Sequence, residues 1–172
     1  MTEPDALADD APHDFELATG AFASGVTLVT IADGREDIGV TVSAFCVASM
    51  RPALIMISLI NGSYPADLLG RLDRFAVTVL SAGQRMLAGR FAASGRPGAR
   101  LLLDDVPHHR GTASGALIVD DGLAAMECEV TSRVPAGDHT LVIGRVLTVD
   151  RVAVSGQPLI RFHRQYASLA GN

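Results

Sequence analysis

The segment from Ile38 to Met50 carries polar groups whose spacing could form a ligand surface. Apolar residues occupy every even position, whereas Gly39, Thr41 and Ser43 stand at odd positions. Because side chains alternate between the two faces of a strand, the pattern predicts one strand with a core face and a face bearing two hydroxyls and a glycine. Such a face suits a planar polar ligand, and an ordinary solvated strand face is the alternative.

Residue types that are missing exclude several other chemistries. The chain has 172 residues, and all 14 of its basic residues are Arg. Without Lys there is no Schiff base, no pyridoxal phosphate attachment and no P-loop. Cys46 and Cys128 are far apart, so no structural zinc site is expected, and both thiols are expected to stay free in a reducing cytoplasm. The pairs Asp104-Asp105 and Asp120-Asp121 indicate turns rather than paired catalytic carboxylates.

Charge is distributed unevenly along the chain. Of the 19 acidic residues, six lie in the first 16 residues, where there is no Arg. We therefore expect residues 1–16 to be a flexible acidic tail and residues 17–172 to be one domain. That domain is close to neutral, which disfavours a duplex nucleic-acid partner. The longest apolar stretch, Ala53 to Ile60, is too short to span a bilayer, and no signal peptide is recognisable, so a cytoplasmic protein without membrane contact is expected.

Most of the chain has the pattern of short strands separated by Gly, Asp and Pro turns. Residues 93–112, which include two adjacent histidines, are predicted to be a loop, and the alternation around Glu127 assigns this carboxylate to the solvent face. About six antiparallel strands indicate a mainly all-β protein built as a small barrel. Besides Ile38 to Met50, the predicted strands are Gly25–Ile31, Ala53–Leu59, Phe75–Leu80, Leu123–Val134 and His139–Val149.

A few short helices are predicted between these strands. Ser63 is placed to cap the N-terminus of a helix that continues to Leu72. Ser81 with Gln84 forms a capping box for a second helix that ends near Ala92. No Gly-rich loop of the dinucleotide-binding type joins a strand to a helix, so a Rossmann site is not expected.

Seven segments together carry a resemblance to a known family. They are FASGVTLVT (22–30), GVTVSAFCVAS (39–49), PALIMISL (52–59), RFAVTVL (74–80), LAGRFA (87–92), GDHTLVIGRV (137–146) and PLIRFHRQY (158–166). In their order and spacing they resemble the short-chain flavin reductases, the reductase components of two-component flavin monooxygenases. The resemblance implies an FMN-binding split β-barrel that transfers hydride from NADH or NADPH to FMN or FAD. No nucleophile or general base is then required, because the cofactor carries the chemistry.

The same resemblance implies a set of flavin contacts. The family's T-V-S segment lies along the flavin, and the strand end after Pro52 borders the dimethylbenzene ring or the ribityl chain. Ser63 is the candidate for the phosphate, since a helix N-terminus offers free N–H groups and partial positive charge, although a plain helix cap is the alternative. The implied contacts on the two strands are Thr41, Val42, Ser43, Ala44, Phe45, Ser58, Leu59 and Ile60.

Four further residues are candidates on the same grounds: Arg90, Phe91, His139 and His163. Arg90, beside Phe91, could contact the phosphate, with a solvated helix face as the alternative. His139 stands in the G-D-H-T motif and resembles a residue near the nicotinamide, with an uninvolved hairpin histidine as the alternative. His163 lies in a segment that reaches the flavin in the family. Two positions depart from the family pattern: Val47 stands where serine is frequent, and glycine is common at the position of Arg164.

Three functions remain open at this level. The first is an NAD(P)H-dependent flavin reductase that supplies reduced FMN or FAD to a partner monooxygenase. The second is a split-barrel oxidoreductase that keeps its flavin and acts on an organic substrate, and the third is a non-enzymatic flavin- or haem-binding module. The resemblance also implies a homodimer with the flavin near the interface. No metal site is expected.

Overall fold

The computed structural model describes residues 11–169, which form short helices around an extended antiparallel sheet. Residues 1–10, most of the predicted acidic tail, lie outside the described residues. The strands are β1 (Ser24–Gly25), β2 (Thr27–Ile31), β3 (Ile38–Val42), β4 (Phe45–Met50), β5 (Ala53–Ile60), β6 (Arg74–Val79), β7 (His108–Arg110), β8 (Leu117–Val119), β9 (Ala124–Ala136), β10 (His139–Val152), β11 (Ile160–Phe162) and β12 (Gln165–Ala167). The helices are α1 (Phe15–Gly20), α2 (Tyr64–Arg71), α3 (Arg85–Ala92) and α4 (Ala99–Leu102), with a 3-10 turn at Ala82–Gln84.

Seven of the strands form one sheet that rolls up into a barrel. Its hydrogen-bonded order is β3-β2-β6-β9-β10-β5-β4, and every pairing is antiparallel. The first and last strands in this order, β3 and β4, are consecutive in the chain and are joined only by Ser43 and Ala44. The two edges of the sheet must therefore meet at this corner, and the sheet is a barrel that is split beyond it. The predicted mainly all-β split barrel is confirmed.

The segment from Ile38 to Met50 is two strands rather than the one that its alternation predicts. In β3 the even residues do face the core, and Val42 is 5% exposed. Beyond the Ser43-Ala44 corner the chain belongs to the opposite edge of the sheet, so the alternation loses its meaning. Cys46 is exposed and Met50 is 80% exposed, which contradicts their predicted core positions.

Two apolar clusters fill the two sides of the sheet around β2. Val29 and Ile31 belong to the cluster inside the barrel. Leu28 belongs to the cluster beneath α3 and α4, which includes Phe91. All five residues of β2 are buried, because the strand is covered on both faces. Buried hydroxyls need hydrogen-bond partners, and the two threonines of β2 donate to main-chain carbonyls, Thr27 to Val42 at 2.8 Å and Thr30 to Leu117 at 2.5 Å.

A small hairpin covers the outside of the sheet and corrects two predictions. Residues 93–112 are not all loop, because they contain α4 and β7, and β7 pairs with β8. Glu127 is not solvated: it is 1% exposed and accepts hydrogen bonds from the main chain of Ala113 and Ser114 and from the hydroxyls of Ser114 and Thr148. Alternation correctly assigned Glu127 to the outer face, but it could not reveal that a second layer covers that face.

The predicted helix starts agree with the structure. Ser63 is the N-cap of α2, and its hydroxyl accepts from the N–H of Ala66. Gln84 Oε1 accepts from the N–H of Ser81 at 2.9 Å, as a capping box requires. In residues 11–169 no helix has the length and apolar character needed to cross a membrane.

Candidate functional site

Three adjoining cavities meet at Ser43, at the corner where the barrel edges separate. The first, of about 310 Å³, lies between β3 and the ends of β5 and β10. The second, of about 300 Å³, extends over Thr41 toward Phe91 and Tyr166. The third, of about 770 Å³, lies between the Ser43-Phe45 corner, α1 and β11. Because Ser43 lines all three, they form one continuous depression, which we call the groove.

The first cavity brings together most of the residues that the sequence predicted. They come from β3, from the end of β5, from the cap of α2 and from the start of β10, segments that are far apart in the chain. The predicted residues in its lining are Thr41, Val42, Ser43, Ala44, Ser58, Leu59, Ile60, Ser63 and His139. Phe45 lines the third cavity instead, beside Met56.

The outer edge of β3 gives the groove a row of main-chain polar groups. β3 is hydrogen-bonded to β2 on one side and ends the sheet order on the other. An edge strand leaves N–H and C=O groups available for an added partner. The hydroxyls of Thr41 and Ser43, both half-buried, lie beside this edge. A planar heterocycle with alternating donors and acceptors can therefore be bound along β3 much as another strand would be.

A network of hydrogen bonds fixes Ser63 and His139 at one end of the groove. Asn61 donates from its side chain to the carbonyl of Gly137 at 3.3 Å and accepts from the hydroxyl of Thr140 at 2.7 Å. These bonds hold the β9–β10 turn against the loop before α2. The Ser63 hydroxyl donates to the carbonyl of Ile60 at 2.7 Å, in addition to capping the helix. The N-terminus of α2 consequently opens into the groove.

His139 is held by its sequence neighbour. Its Nδ1 lies 2.7 Å from Oδ1 of Asp138, and the histidine side chain is 40% exposed. The hydrogen bond and the charge of this histidine lower the pKa of Asp138. The carboxylate therefore remains ionised and orients the ring, which lines the groove on the same side as Ser63.

Arg96 is a groove residue that the sequence reasoning missed. It lines the first and second cavities, and its Nε donates to the carbonyl of Gly39 at 2.9 Å. Burial lowers its pKa. Within residues 11–169 no carboxylate forms an ion pair with it. The only signal in the sequence is that every cation must be Arg. The family motif contains Arg90, whereas Arg96 stands in a Gly-Pro loop outside that motif.

The loop that carries Arg96 is fastened to the β2–β3 turn by a buried carboxylate. Asp37 is fully buried and accepts from Arg100 at 2.8 Å and from Arg110 at 2.7 Å. Burial raises the pKa of Asp37, but the hydrogen bonds from Arg110 and Arg100 outweigh it and hold the pKa below its ordinary value. The main-chain N–H of Ala99 also donates to the Asp37 carbonyl at 2.8 Å. These contacts place Arg96 beside β3.

Arg161 is a second missed cation, at the opposite side of the groove. It stands on β11 opposite Ser24 and Tyr166 and lines the second and third cavities. No carboxylate in the described part of the chain lies within ion-pair distance of its guanidinium. Two uncompensated guanidiniums and a helix N-terminus make the groove a site for anionic ligands.

Two predicted residues, Arg90 and His163, line none of the three cavities, and a third, Phe91, lines the second cavity as a fully buried side chain. Arg90 forms a two-pronged ion pair with Asp105, at 2.5 and 2.8 Å, on the exposed side of α3. Phe91 borders the second cavity but is fully buried. Its ring packs closely against Gly39, where an added Cβ would lie 2.4 Å from the ring. It therefore supports β3 from below. His163 lies in the β11–β12 turn, and its N–H donates to the carbonyl of Gly20 at 2.7 Å, so it fixes α1 beside the groove.

Both departures from the family pattern now have a location. Arg164 has φ +63°, a left-handed conformation in which glycine is favoured, and its side chain pairs with Glu16 of α1 in the lining of the third cavity. Val47 is 60% exposed on the edge strand β4 and lines none of the three cavities. Neither departure therefore changes the first cavity.

Comparison with known proteins agrees with this fold. The family model described as flavin reductase like domain matches residues 19–170. An NADH-dependent FMN reductase of Streptomyces nodosus subsp. asukaensis is 33% identical over 156 residues, which cover 91% of this chain and 84% of that protein. The reductase component of 4-hydroxyphenylacetate 3-monooxygenase of Thermus thermophilus is 33% identical over 155 residues, or 90% and 95% of the two chains.

A solved structure extends the comparison to three dimensions. The NADH:FAD oxidoreductase of Streptomyces globisporus, in complex with NAD and FAD fragments, superposes with a TM-score of 0.86 at 28% identity and covers 97% of this chain and 98% of its own. The rolled sheet with its split edge and anion-accepting groove thus defines a flavin-reductase-like split barrel. The chain belongs to the flavin reductase like domain family.

Proposed function

We propose that this protein is an NADH-dependent flavin reductase that reduces FMN or FAD and releases the reduced flavin to a partner flavin-dependent oxygenase. The observation that carries the proposal is the groove, in which the unpaired edge of β3, the N-terminus of α2 and two uncompensated arginines converge. Membership of the family and relatives that use NADH with FMN or with FAD support the same activity.

Different residues of the groove would contact different parts of the two ligands. The edge of β3 from Thr41 to Ala44 would receive the polar side of the flavin ring, and the end of β5 would border its apolar side. Ser63 and the N–H of Tyr64 would hold the phosphate, with Arg96 as the cation, since Pro65 has no N–H and the N–H of Ala66 is bonded to the Ser63 hydroxyl. His139 would contact the nicotinamide carboxamide. A bound flavin would supply the redox chemistry as the hydride acceptor, with the nicotinamide as the donor.

The chain itself acts by positioning. Among the described residues, no cysteine, lysine or carboxylate lines the first cavity, and hydride transfer requires none of them. Holding two rings at contact distance removes much of the entropic part of the barrier. The third cavity, continuous with the first at Ser43, leaves space for a second ring system beside the first.

The oxygenase partner is proposed from relatives. One is named as the reductase component of a monooxygenase, and a solved structure of 28% identity is named as the flavin reductase component of a bacterial two-component tryptophan halogenase. Ala44 and Ile60 in the lining of the first cavity are exposed, so this cavity opens to solvent and reduced flavin can leave it. This arrangement favours release over retention of the flavin.

Steady-state oxidation of NADH and NADPH with FMN, FAD and riboflavin tests the activity. The proposal expects a rate that saturates in added flavin and a purified protein that is colourless or only weakly yellow. A protein that purifies yellow and reduces an organic substrate without releasing flavin would establish the second function considered above. If NADH is not oxidised over hours in the presence of added flavin, the protein is a non-enzymatic flavin- or haem-binding module.

We also propose a homodimer, with β4 at the interface. β4 ends the sheet order, and its exposed residues include Val47 at 60% and Met50 at 80%. An unpaired strand edge with apolar side chains is a surface that proteins usually cover. Sedimentation should give a dimer at micromolar concentration, and a monomer alone would contradict this. The cytoplasm is the proposed compartment, because Cys46 and Cys128 are both free thiols.

A further inference from the structure

A separate cleft lies outside the groove, between α2 and the β2–β3 turn. Its volume is about 390 Å³, which falls in the range of small-molecule sites, roughly 300–1,000 Å³. None of the flavin or nicotinamide contacts predicted from the sequence lines this cleft. Its lining consists of Asp33, Arg35, Tyr64, Leu68, Arg71 and Leu72.

The cleft begins one residue away from the proposed phosphate position. Tyr64 directly follows Ser63, and the two residues line different cavities, the cleft and the groove. Tyr64, Leu68 and Arg71 share one face of α2, because residues at i, i+4 and i+7 lie above one another on a helix. The first turn of α2 is therefore the boundary between the groove and the cleft.

The polar groups of the cleft suit a phosphate attached to an aromatic base. In the described part of the chain, the guanidiniums of Arg35 and Arg71 take part in no ion pair. Guanidinium binds phosphate through paired hydrogen bonds. Tyr64 is 49% exposed, so its ring is accessible to a stacking partner.

The acidic residue of the cleft is committed to the backbone. Oδ1 of Asp33 accepts from the N–H groups of Arg35, Glu36 and Asp37 at 2.9, 3.0 and 3.0 Å. Burial raises the pKa of Asp33, and these three hydrogen bonds outweigh it, so the pKa lies below its ordinary value. The turn is thereby rigid and presents Arg35 to the cleft, and the second carboxylate oxygen, Oδ2, which accepts no hydrogen bond from the described residues, suits a ribose hydroxyl.

We infer that this cleft binds the adenosine phosphate half of a dinucleotide, with the base on Tyr64 and the phosphate between Arg35 and Arg71. The source of that half is FAD or the pyridine nucleotide, and only this assignment of source rests on the proposed function. FMN lacks the adenylate half, so with FAD as the source the cleft is the place where the protein distinguishes FAD from FMN.

Calorimetric titration with AMP tests the cleft without any enzymatic reaction. Arg71→Gln and Tyr64→Ala should each weaken AMP binding by about tenfold, the scale of one lost charge-assisted or stacking contact. Tyr64→Phe should retain the affinity, because stacking needs only the ring. Arg85→Gln is the matched control: it removes the same charge from an exposed position on α3, outside the cleft. Equal AMP affinity in all variants, or inorganic phosphate binding as well as AMP, would overturn the inference.

Steady-state assays with the same variants then identify the source. An increase of the apparent KM for FAD with an unchanged KM for FMN assigns the cleft to FAD. An increase of the KM for NADH or NADPH with unchanged flavin constants assigns it to the pyridine nucleotide. Equal effects on FMN and FAD, with the pyridine nucleotide constants unchanged, would overturn the inference. If the wild-type protein oxidises no NADH with FMN, the proposed function fails. The AMP titration still decides whether the cleft binds an adenosine phosphate.

Discussion

The Nε of Arg96 donates a 2.9 Å hydrogen bond to the carbonyl oxygen of Gly39, and this contact fixes a cation at the outer edge of β3. The two residues are far apart in the chain. Their contact depends on the Asp37 ion pairs that fasten the loop to the β2–β3 turn. An anionic ligand lying along β3 therefore meets a positive charge that no described carboxylate neutralises.

Arg96→Gln should raise the apparent KM for FMN by about tenfold, because one charge-assisted hydrogen bond to phosphate is lost. The KM for riboflavin, which lacks the phosphate, should change much less. Arg90→Gln is the control, since Arg90 is paired with Asp105 and points away from the groove. The assignment fails if Arg90→Gln raises the FMN constant and Arg96→Gln does not.

Ser63→Asp separates the helix cap from phosphate binding. Asp caps a helix about as well as Ser, so the thermal midpoint should remain close to that of the wild type. Its negative charge beside the phosphate should raise the apparent KM for FMN and leave that for riboflavin unchanged. Ser63→Ala should lower both stability and FMN affinity, each by about 1 kcal/mol. An unchanged KM for FMN in Ser63→Asp would leave Ser63 as a cap alone.

His139→Ala should act on the pyridine nucleotide. We expect a higher KM for NADH or a lower kcat, with a smaller change in the FMN constant, because the imidazole is assigned to the nicotinamide carboxamide although it shares the first cavity with Ser63. Asp138→Asn should have a weaker effect in the same direction, since it removes the carboxylate that orients the ring at 2.7 Å. Steady-state kinetics with each substrate varied in turn measure both. A change confined to the FMN constant would contradict the assignment.

Glu127→Gln should destabilise the fold without touching the groove. Its carboxylate accepts four hydrogen bonds, and an amide would place its NH₂ group against donors, which should cost about 2 kcal/mol or more. Burial raises the pKa of Glu127, but the hydrogen bonds from Ser114, Thr148 and Ala113 outweigh it and lower the pKa. A lowered folded-state pKa means that this stability is present above the unfolded pKa and is lost as pH falls through the folded one.

Urea unfolding at pH 7 and pH 3 measures this effect. The difference between wild type and Glu127→Gln should shrink at the lower pH, because protonation removes the acceptor in the wild type as well. Glu129→Gln is a control, since that carboxylate is on the same strand but is more exposed and pairs with Arg145. A constant difference across the pH range would show that the charge of Glu127 does not matter.

His109 should make stability depend on pH in the opposite sense. Its Nδ1 lies 2.5 Å from Asp120 and its Nε2 lies 3.2 Å from Asp150, so it joins the β7–β8 hairpin to β10. The hydrogen bond to Asp120 is the main cause that raises the pKa of His109. A raised folded-state pKa gives stability that is complete below the unfolded value, about 6.5, and is lost as pH rises through the folded pKa.

His109→Gln should therefore lower the urea midpoint at pH 5.5 and have little effect at pH 9. His108→Gln is the matched control, because the side chain of His108 forms no ion pair among the described residues and its one hydrogen bond there is to the carbonyl of Val106, at 2.7 Å. A larger loss at pH 9 than at pH 5.5 would show that the neutral ring is the form that binds.

Local pattern was sufficient for most strands of the main sheet, although it merged β3 and β4, and for Thr41, Ser43 and Ser63 in the first cavity. The alternation of β3 and the cap at Ser63 are properties of neighbouring residues, so they can be recognised in the chain before it folds. The resemblance then added His139 and the end of β5, because motif order carries information about which segments meet. The structure brings these residues into one cavity.

Tertiary contacts decided everything that depends on which segments cover one another. The alternation of Ile38 to Met50 could not reveal the corner at Ser43-Ala44, because the apolar residues continue to alternate where the chain passes from one edge of the sheet to the other. Glu127 was assigned to the correct face, yet only the β7–β8 layer makes that face buried. Arg90 and Arg96 are chemically the same in the sequence, and a distant carboxylate neutralises one while the Asp37 ion pairs bring the other to the groove.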